Sequence, residues 1–428
     1  MEAASEGGGR VWLDVSTTRH AGGHYDGTTR IERSLIRELP AVLGMRLGFC
    51  VYDRTTGHFS AVPRPELPDA GAAHRSRPQR RRGAVSAAGR VVERKVRGLV
   101  KGVIGRGVAA ADRARGHSAF AEAAVGDTLL LAGENWSRFD FGVLRRLKAE
   151  RGLRIAAVLQ DMIPLVHPQF FDSADFIRRF RLYVDFLARD ADLVFVISNA
   201  TRADFLAAAP DADPAKVVPI RLGADPLSST EQRRPSRLPE LGETPFVLSV
   251  STIQARKNFD LLYRVWQKAA IDATAGLPHL VIVGREGFGA ADLLHQMRND
   301  PRIAPGITIL NTASDAELAW LYTNSAFTLY PSWYEGWGLP LSESLAYGKT
   351  FIASDRSSLP EAGHGLGIHL DPYDLPAWSR EVLRLTADVD ARRAMEQRIA
   401  SERRLPSWAD CASDIATEIG RVAASADR

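Results

Sequence analysis

The chain reads as an α/β protein built from two doubly wound domains that face each other across a cleft, and three observations carry that expectation. Short apolar runs alternate with segments of helical spacing from Val11 to Ala353, the pattern of parallel sheets covered by helices on both faces. A stretch rich in Pro, Ser, Arg and Glu, from about Pro226 to Thr244, interrupts that series and reads as a linker. The length of 428 residues, with 45% hydrophobic content, exceeds what one core ordinarily holds.

The elements follow in order. Val11-Trp-Leu-Asp-Val is a first strand, followed by polar, glycine-containing sequence to Gly27 and then by a helix with apolar positions Ile31, Leu35, Ile36 and Leu39. Strands are expected at Thr128–Leu131, Ile155–Leu159 and Leu193–Ile197. The first domain is therefore placed at residues 10–226, with a basic insertion at about 75–115. A second series runs through Phe246–Val250, Leu280–Val283, Ile307–Leu310, Phe327–Tyr330 and Thr350–Ala353, giving a second domain at 245–405. In such sheets ligands gather beyond the carboxyl ends of the strands.

The most informative stretch is Pro331-Ser-Trp-Tyr-Glu335-Gly-Trp-Gly-Leu-Pro340-Leu-Ser-Glu343. It joins a buried strand to a helix through Gly336 and Gly338, so free backbone N–H groups and the positive end of the helix dipole face any anion outside the sheet. Glu335 in the turn and Glu343 two helical turns on could face one ligand. Carboxylates beside an anion site are suited to accept from hydroxyl groups, and the combination points to a nucleotide sugar.

This stretch, with its spacing of seven residues between the glutamates and the following Phe351-Ile-Ala-Ser-Asp355-Arg-Ser-Ser-Leu-Pro360-Glu-Ala-Gly, resembles the retaining glycosyltransferases of the GT4 family. The resemblance implies a GT-B fold of two Rossmann-like domains and a last helix, within residues 406–428, that crosses back onto the first domain. It implies further that Glu335 contacts sugar hydroxyls, that Glu343 accepts from the ribose, and that amides around Gly336, Trp337, Gly338 and Leu339 help hold the diphosphate. Arg256-Lys257-Asn258, after the strand Val247–Val250, resembles the basic pair that neutralises the diphosphate leaving group. Many relatives carry an arginine where this chain has Thr252, and Ser251 replaces a glycine. Gly27 and Thr28 fit the family's N-terminal loop facing the diphosphate.

Val158-Leu-Gln160-Asp161-Met-Ile-Pro164 resembles the family's His-Asp-x-x-Pro segment, with Gln160 where histidine is common. Transfer in the family proceeds on one face of the sugar, with the departing phosphate helping to deprotonate the acceptor. Asp161 would then orient or receive an acceptor hydroxyl and Gln160 would contribute hydrogen bonds. Ser198 reads as a helix cap, and His167 as structural. The adjacent Arg-Lys-Asn form is similar to mannosyltransferases that use GDP-mannose, so a GDP-sugar is favoured over a UDP-sugar and a glycan or lipid-linked glycan is the expected acceptor. No cofactor is expected, and no metal, since no Asp-x-Asp pair stands at a strand end.

Charge is uneven. Arg75 to Arg115 holds 13 Lys or Arg against Glu93 and Asp112, leaving the remainder at −7 against a total of +4. Val92, Val96, Leu99 and Val103 recur at helical spacing beside Arg90, Arg94, Arg97 and Lys101, which suits peripheral contact with an anionic membrane. Nucleic-acid binders interleave aromatics with their cations, whereas Phe120 is the first aromatic after this run; no nucleic-acid partner is expected. A sugar-nucleotide-binding protein of impaired catalysis is the other reading, favoured by Gln160 and Thr252 and opposed by both glutamates and Lys257. Only Cys50 and Cys411 are present, and no signal-like or membrane-spanning run is seen, so a cytoplasmic location, peripheral to the inner membrane face, is expected.

Overall fold

The computed structural model describes residues 9–21, 27–67, 120–225 and 231–426. The basic segment at 75–115 lies outside the described residues. Two sheets form. The first contains β1 (Val11–Asp14), β2 (Leu47–Asp53), β3 (His58–Val62), β4 (Thr128–Leu131), β5 (Arg154–Leu159), β6 (Leu193–Val196) and β7 (Val217–Pro219), in the order β3-β2-β1-β4-β5-β6-β7. The second contains β8 (Phe246–Val250), β9 (His279–Val283), β10 (Ile307–Leu310), β11 (Thr328–Tyr330), β12 (Phe351–Ser354) and β13 (Ile368–Leu370), in the order β10-β9-β8-β11-β12-β13.

Every residue of β1, β4, β6 and β9 is buried, as expected of parallel strands covered on both faces. The first sheet departs from the all-parallel expectation at one edge, where β3 runs antiparallel to β2. That hairpin is held by Tyr52 packing on Phe59 with ring centroids 4.9 Å apart.

Longer helices cover the sheets: α1 (Gly27–Leu43), α2 (Phe141–Arg151), α3 (Ala174–Asp190) and α4 (Asn199–Ala208) on the first, α5 (Phe259–Ile271), α6 (Ala291–Asn299), α7 (Asp315–Asn324), α8 (Leu339–Ala346), α9 (Leu375–Ala387) and α10 (Val389–Glu402) on the second. Ser198 caps α4 by accepting from the Thr201 amide at 3.0 Å, and Ser314 caps α7 in a reciprocal box with Glu317.

The last helix, α11 (Trp408–Ala426), returns to the first domain. Trp408, Cys411, Ile415 and Ile419 join Leu35, Leu39 and Leu222 in one core of that domain. Arg221 forks onto Asp414 at 2.9 and 2.6 Å, and the Trp408 amide donates to Asp225 at 2.7 Å.

The expected linker is shorter than its composition suggested. Residues 231–244 lie on the second domain: Leu238 is buried with Phe246 and Leu248, and Arg237 reaches the Thr312 carbonyl at 2.7 Å. Two leucines, Leu238 and Leu241, among prolines and charges leave no periodicity to read. Among the described residues, no helix is long and apolar enough to cross a membrane.

Candidate active site

In each sheet the chain winds outward, then returns to the centre, which creates a crevice at the carboxyl ends of the two strands where the order reverses. In the second sheet those strands are β8 and β11. The turn after β8 supplies Arg256 and Lys257, and the turn after β11 supplies Glu335. Asn258 adopts a left-handed conformation, φ 54°, and its side-chain amide donates to the Pro331 carbonyl at 3.0 Å, tying the first turn to the second. The Trp333 amide adds a bond to the Arg256 carbonyl at 2.9 Å.

These ties bring the expected residues together. Arg256 donates to one Glu335 oxygen at 3.0 Å, and Lys257 and the Ser332 hydroxyl (2.7 Å) donate to the other. Burial alone would push the Glu335 carboxyl up, but the two cations outweigh it and hold it at about 2. Lys257 moves down to about 8, through burial first and Arg256 second, with Glu335 opposing both. Within this turn two cations face the one Glu335 carboxylate, an arrangement that attracts a further negative group.

Ser357 and Ser358 fix the Glu335 backbone, both hydroxyls donating to its carbonyl. Gly338 begins α8 at φ 116°, a conformation that suits glycine. Trp337 donates through its ring N–H to Ser342 at 3.0 Å and packs against apolar residues of both domains, so its role in this arrangement is structural.

Glu343, on α8, does not meet Glu335. Its partners are Tyr322 at 2.7 Å and Arg30, which reaches it from α1 across the cleft. Gly27 and Thr28, expected in a loop, are instead the first residues of α1, because the helix starts four residues ahead of Ile31, the first of its apolar positions; a Cβ on Gly27 would meet nothing within 4 Å.

From the first domain, Asp161 follows β5 and faces the donor cluster. Burial raises its pKa, Arg256 and a 3.0 Å bond from the Ile163 amide lower it, and the net shift is upward. Gln160 turns its amide away, donating to the Ala132 carbonyl at 3.0 Å. Its carbonyl abuts Gly336, where a Cβ would lie 2.0 Å from that oxygen. Tyr334 stacks edge-on with His167, centroids 5.4 Å apart, and donates to Asp204. Glu361 accepts from the Asn199 and Ala200 amides, 2.8 Å each, at the start of α4. The two halves meet here, with Glu361 and Tyr334 of the second bonded to the first, and within the second domain Lys257, Ser332, Glu335 and Gly338 line a small cavity of about 10 Å³.

Several residues here have no local sequence signal. Arg30 and Tyr322 reach Glu343 from other elements. Asp14, the last residue of β1, and Glu32 of α1 form a buried carboxylate pair, with Asp14 accepting from Ser16 at 2.6 Å and Glu32 from the Thr18 amide at 2.5 Å. Burial, then mutual repulsion, raises Asp14 to about 8; burial raises Glu32 to about 7.

Comparison with known proteins accords with this geometry. Across 97% of the chain the structure superposes on all of sucrose-phosphate synthase from Thermosynechococcus elongatus, with a TM-score of 0.61 at 18% identity. HepE of Anabaena, solved with UDP, gives 0.60 at 17% identity over 96% of this chain and 100% of that one. Two Rossmann-like domains in this arrangement are the GT-B fold.

Residues 230–402 match the family model of glycosyl transferases group 1. O-antigen chain mannosyltransferase B of Escherichia coli is 30% identical over 166 residues, 39% of this chain and 43% of that protein. The serotype-specific mannosyltransferase WbdA of Escherichia coli is 27% identical over 200 residues, 44% of this chain and 24% of that protein. The matches to these relatives span less than half of their length.

Proposed function

We propose that the protein is a retaining glycosyltransferase that moves a hexose, mannose favoured, from a nucleoside-diphosphate sugar to a glycan or lipid-linked glycan acceptor. The observation that carries the reading is Glu335 clasped by Arg256 and Lys257 with Asp161 facing it from the other domain. A diphosphate leaving group gains negative charge as the glycosidic bond breaks, and the excess cation beside Glu335 is positioned to stabilise it. Glu335 then serves the sugar hydroxyls, and the α8 N-terminus the diphosphate.

Asp161 lies where an acceptor hydroxyl would approach. On one face of the sugar, the departing phosphate takes the acceptor proton and Asp161 orients the hydroxyl, which asks nothing of the Gln160 side chain. The mannosyltransferase relatives and the Arg-Lys-Asn turn favour GDP-mannose; HepE, solved with UDP, keeps UDP-sugars in the comparison. The same relatives favour a place in surface polysaccharide assembly, and the basic residues between Arg75 and Arg115 favour peripheral contact at the inner face of the membrane.

Binding and hydrolysis of GDP-mannose, GDP-fucose, UDP-glucose and UDP-galactose are the test, with wild type and Glu335→Ala. The expected result is saturable binding of one donor with turnover lost in the variant. Absence of binding to every donor, or full turnover by Glu335→Ala, overturns the reading.

A further inference from the structure

Arg30 is a cation that neither the glutamate motif nor the basic pair accounts for. It projects from the first turn of α1, in the first domain, and pairs with Glu343 of α8 in the second, a separation of 313 residues in sequence. Only 27% of its side-chain surface is exposed, and the Tyr322 hydroxyl and the Asp315 carboxylate lie in its field. Tyr322 holds the other Glu343 oxygen at 2.7 Å. The carboxylate assigned to the ribose is therefore already engaged on both oxygens, one of them by a side chain from the opposite domain.

A ribose that takes the Glu343 oxygen now bound by Arg30 displaces the guanidinium, and a guanidinium this enclosed cannot be left without an anion except at high cost. Of the parts of a nucleoside-diphosphate sugar with a neutral sugar, only the diphosphate is anionic. A planar guanidinium also matches phosphate oxygens two at a time.

We propose that Arg30 is a donor-binding residue supplied by the first domain: as the donor binds, Glu343 passes to the ribose hydroxyls and Arg30 passes to the diphosphate. The inference rests on the donor site described above. It makes the donor a bridge between domains, held from one side by Arg256 and Lys257 and from the other by Arg30. It also gives closure a price in specificity, because a nucleoside without phosphates takes Glu343 and offers Arg30 nothing in return.

The test is calorimetric binding of the diphosphate that wild type takes, GDP or UDP, and of the matching nucleoside, to wild type, Arg30→Ala and Arg30→Gln. Gln keeps a donor toward Glu343 without the charge, so it guards the test against a loss of fold in the Ala variant. The expected result is a loss of about tenfold or more in nucleoside-diphosphate affinity, the scale of one charge-assisted contact, in both variants. Nucleoside affinity stays level or rises. Equal affinities across the three proteins overturn the proposal, as Arg30 then passes to Asp315. So does a parallel gain for both ligands, which would mark Arg30 as a latch alone, or a parallel loss accompanied by a lower melting temperature, which would mark it as structural. Failure of wild type to bind either diphosphate overturns the donor site itself, a result separate from these.

Discussion

Gly336→Ala is the substitution whose outcome the geometry constrains most tightly. A methyl group there would lie 2.0 Å from the Gln160 carbonyl oxygen and 3.0 Å from the Asp161 Cβ, where contacts under 3.0 Å are essentially never seen. The obstructing atoms are backbone, so no rotamer change relieves them, and the two domains must separate by about 1 Å or the Glu335 turn must shift by as much. A displacement of about 1 Å at a reacting centre costs on the order of a hundredfold in rate. Each domain keeps its own core, so melting temperature should change little while kcat for donor hydrolysis falls by about that factor. The assay is steady-state hydrolysis of the best donor alongside a thermal melt. Activity within about twofold of wild type would refute the idea that this closed contact is the reactive arrangement.

Two further outcomes follow from the buried charges. Donor affinity should fall as pH rises through about 8, because Lys257 sits there when folded and must be protonated to meet a phosphate; Lys257→Arg should remove that inflection from a plot of Kd against pH. Glu32 is raised from 4.5 to about 7, so the folded state binds more protons than the unfolded one between those values and loses stability as pH rises through them. Glu32→Gln should therefore be more stable than wild type at pH 8 and nearly equal at pH 4.5, as read from denaturant melts at both values.

The parallel strands were legible because burial on both faces makes them continuous apolar runs, as at Leu129–Leu131 and Phe246–Leu248. The edge hairpin β2–β3 was not, since its exposed positions break both the alternation and the run. The donor turn was legible for a related reason: Glu335, Gly336, Gly338 and the α8 N-terminus lie within a few residues of one another, so their chemistry is written locally. Lys257 could be placed because it too follows a strand directly. Arg30, Tyr322 and Glu361 could not, because each acquires its meaning from a partner on another element, and no local period encodes a contact across the cleft. Gln160 shows the converse: its sequence neighbourhood suggests chemistry, while its amide is spent on the Ala132 carbonyl.

The return of α11 has a consequence for synthesis. Trp408, Ile415 and Ile419 complete a core whose other walls, β1 and α1, leave the ribosome some four hundred residues earlier. The first half of the chain must therefore wait, with an apolar face uncovered, while the second half is made and acquires a core of its own. The early-made half spends that interval in the state most open to chaperones and to mispairing with its neighbours on a polysome.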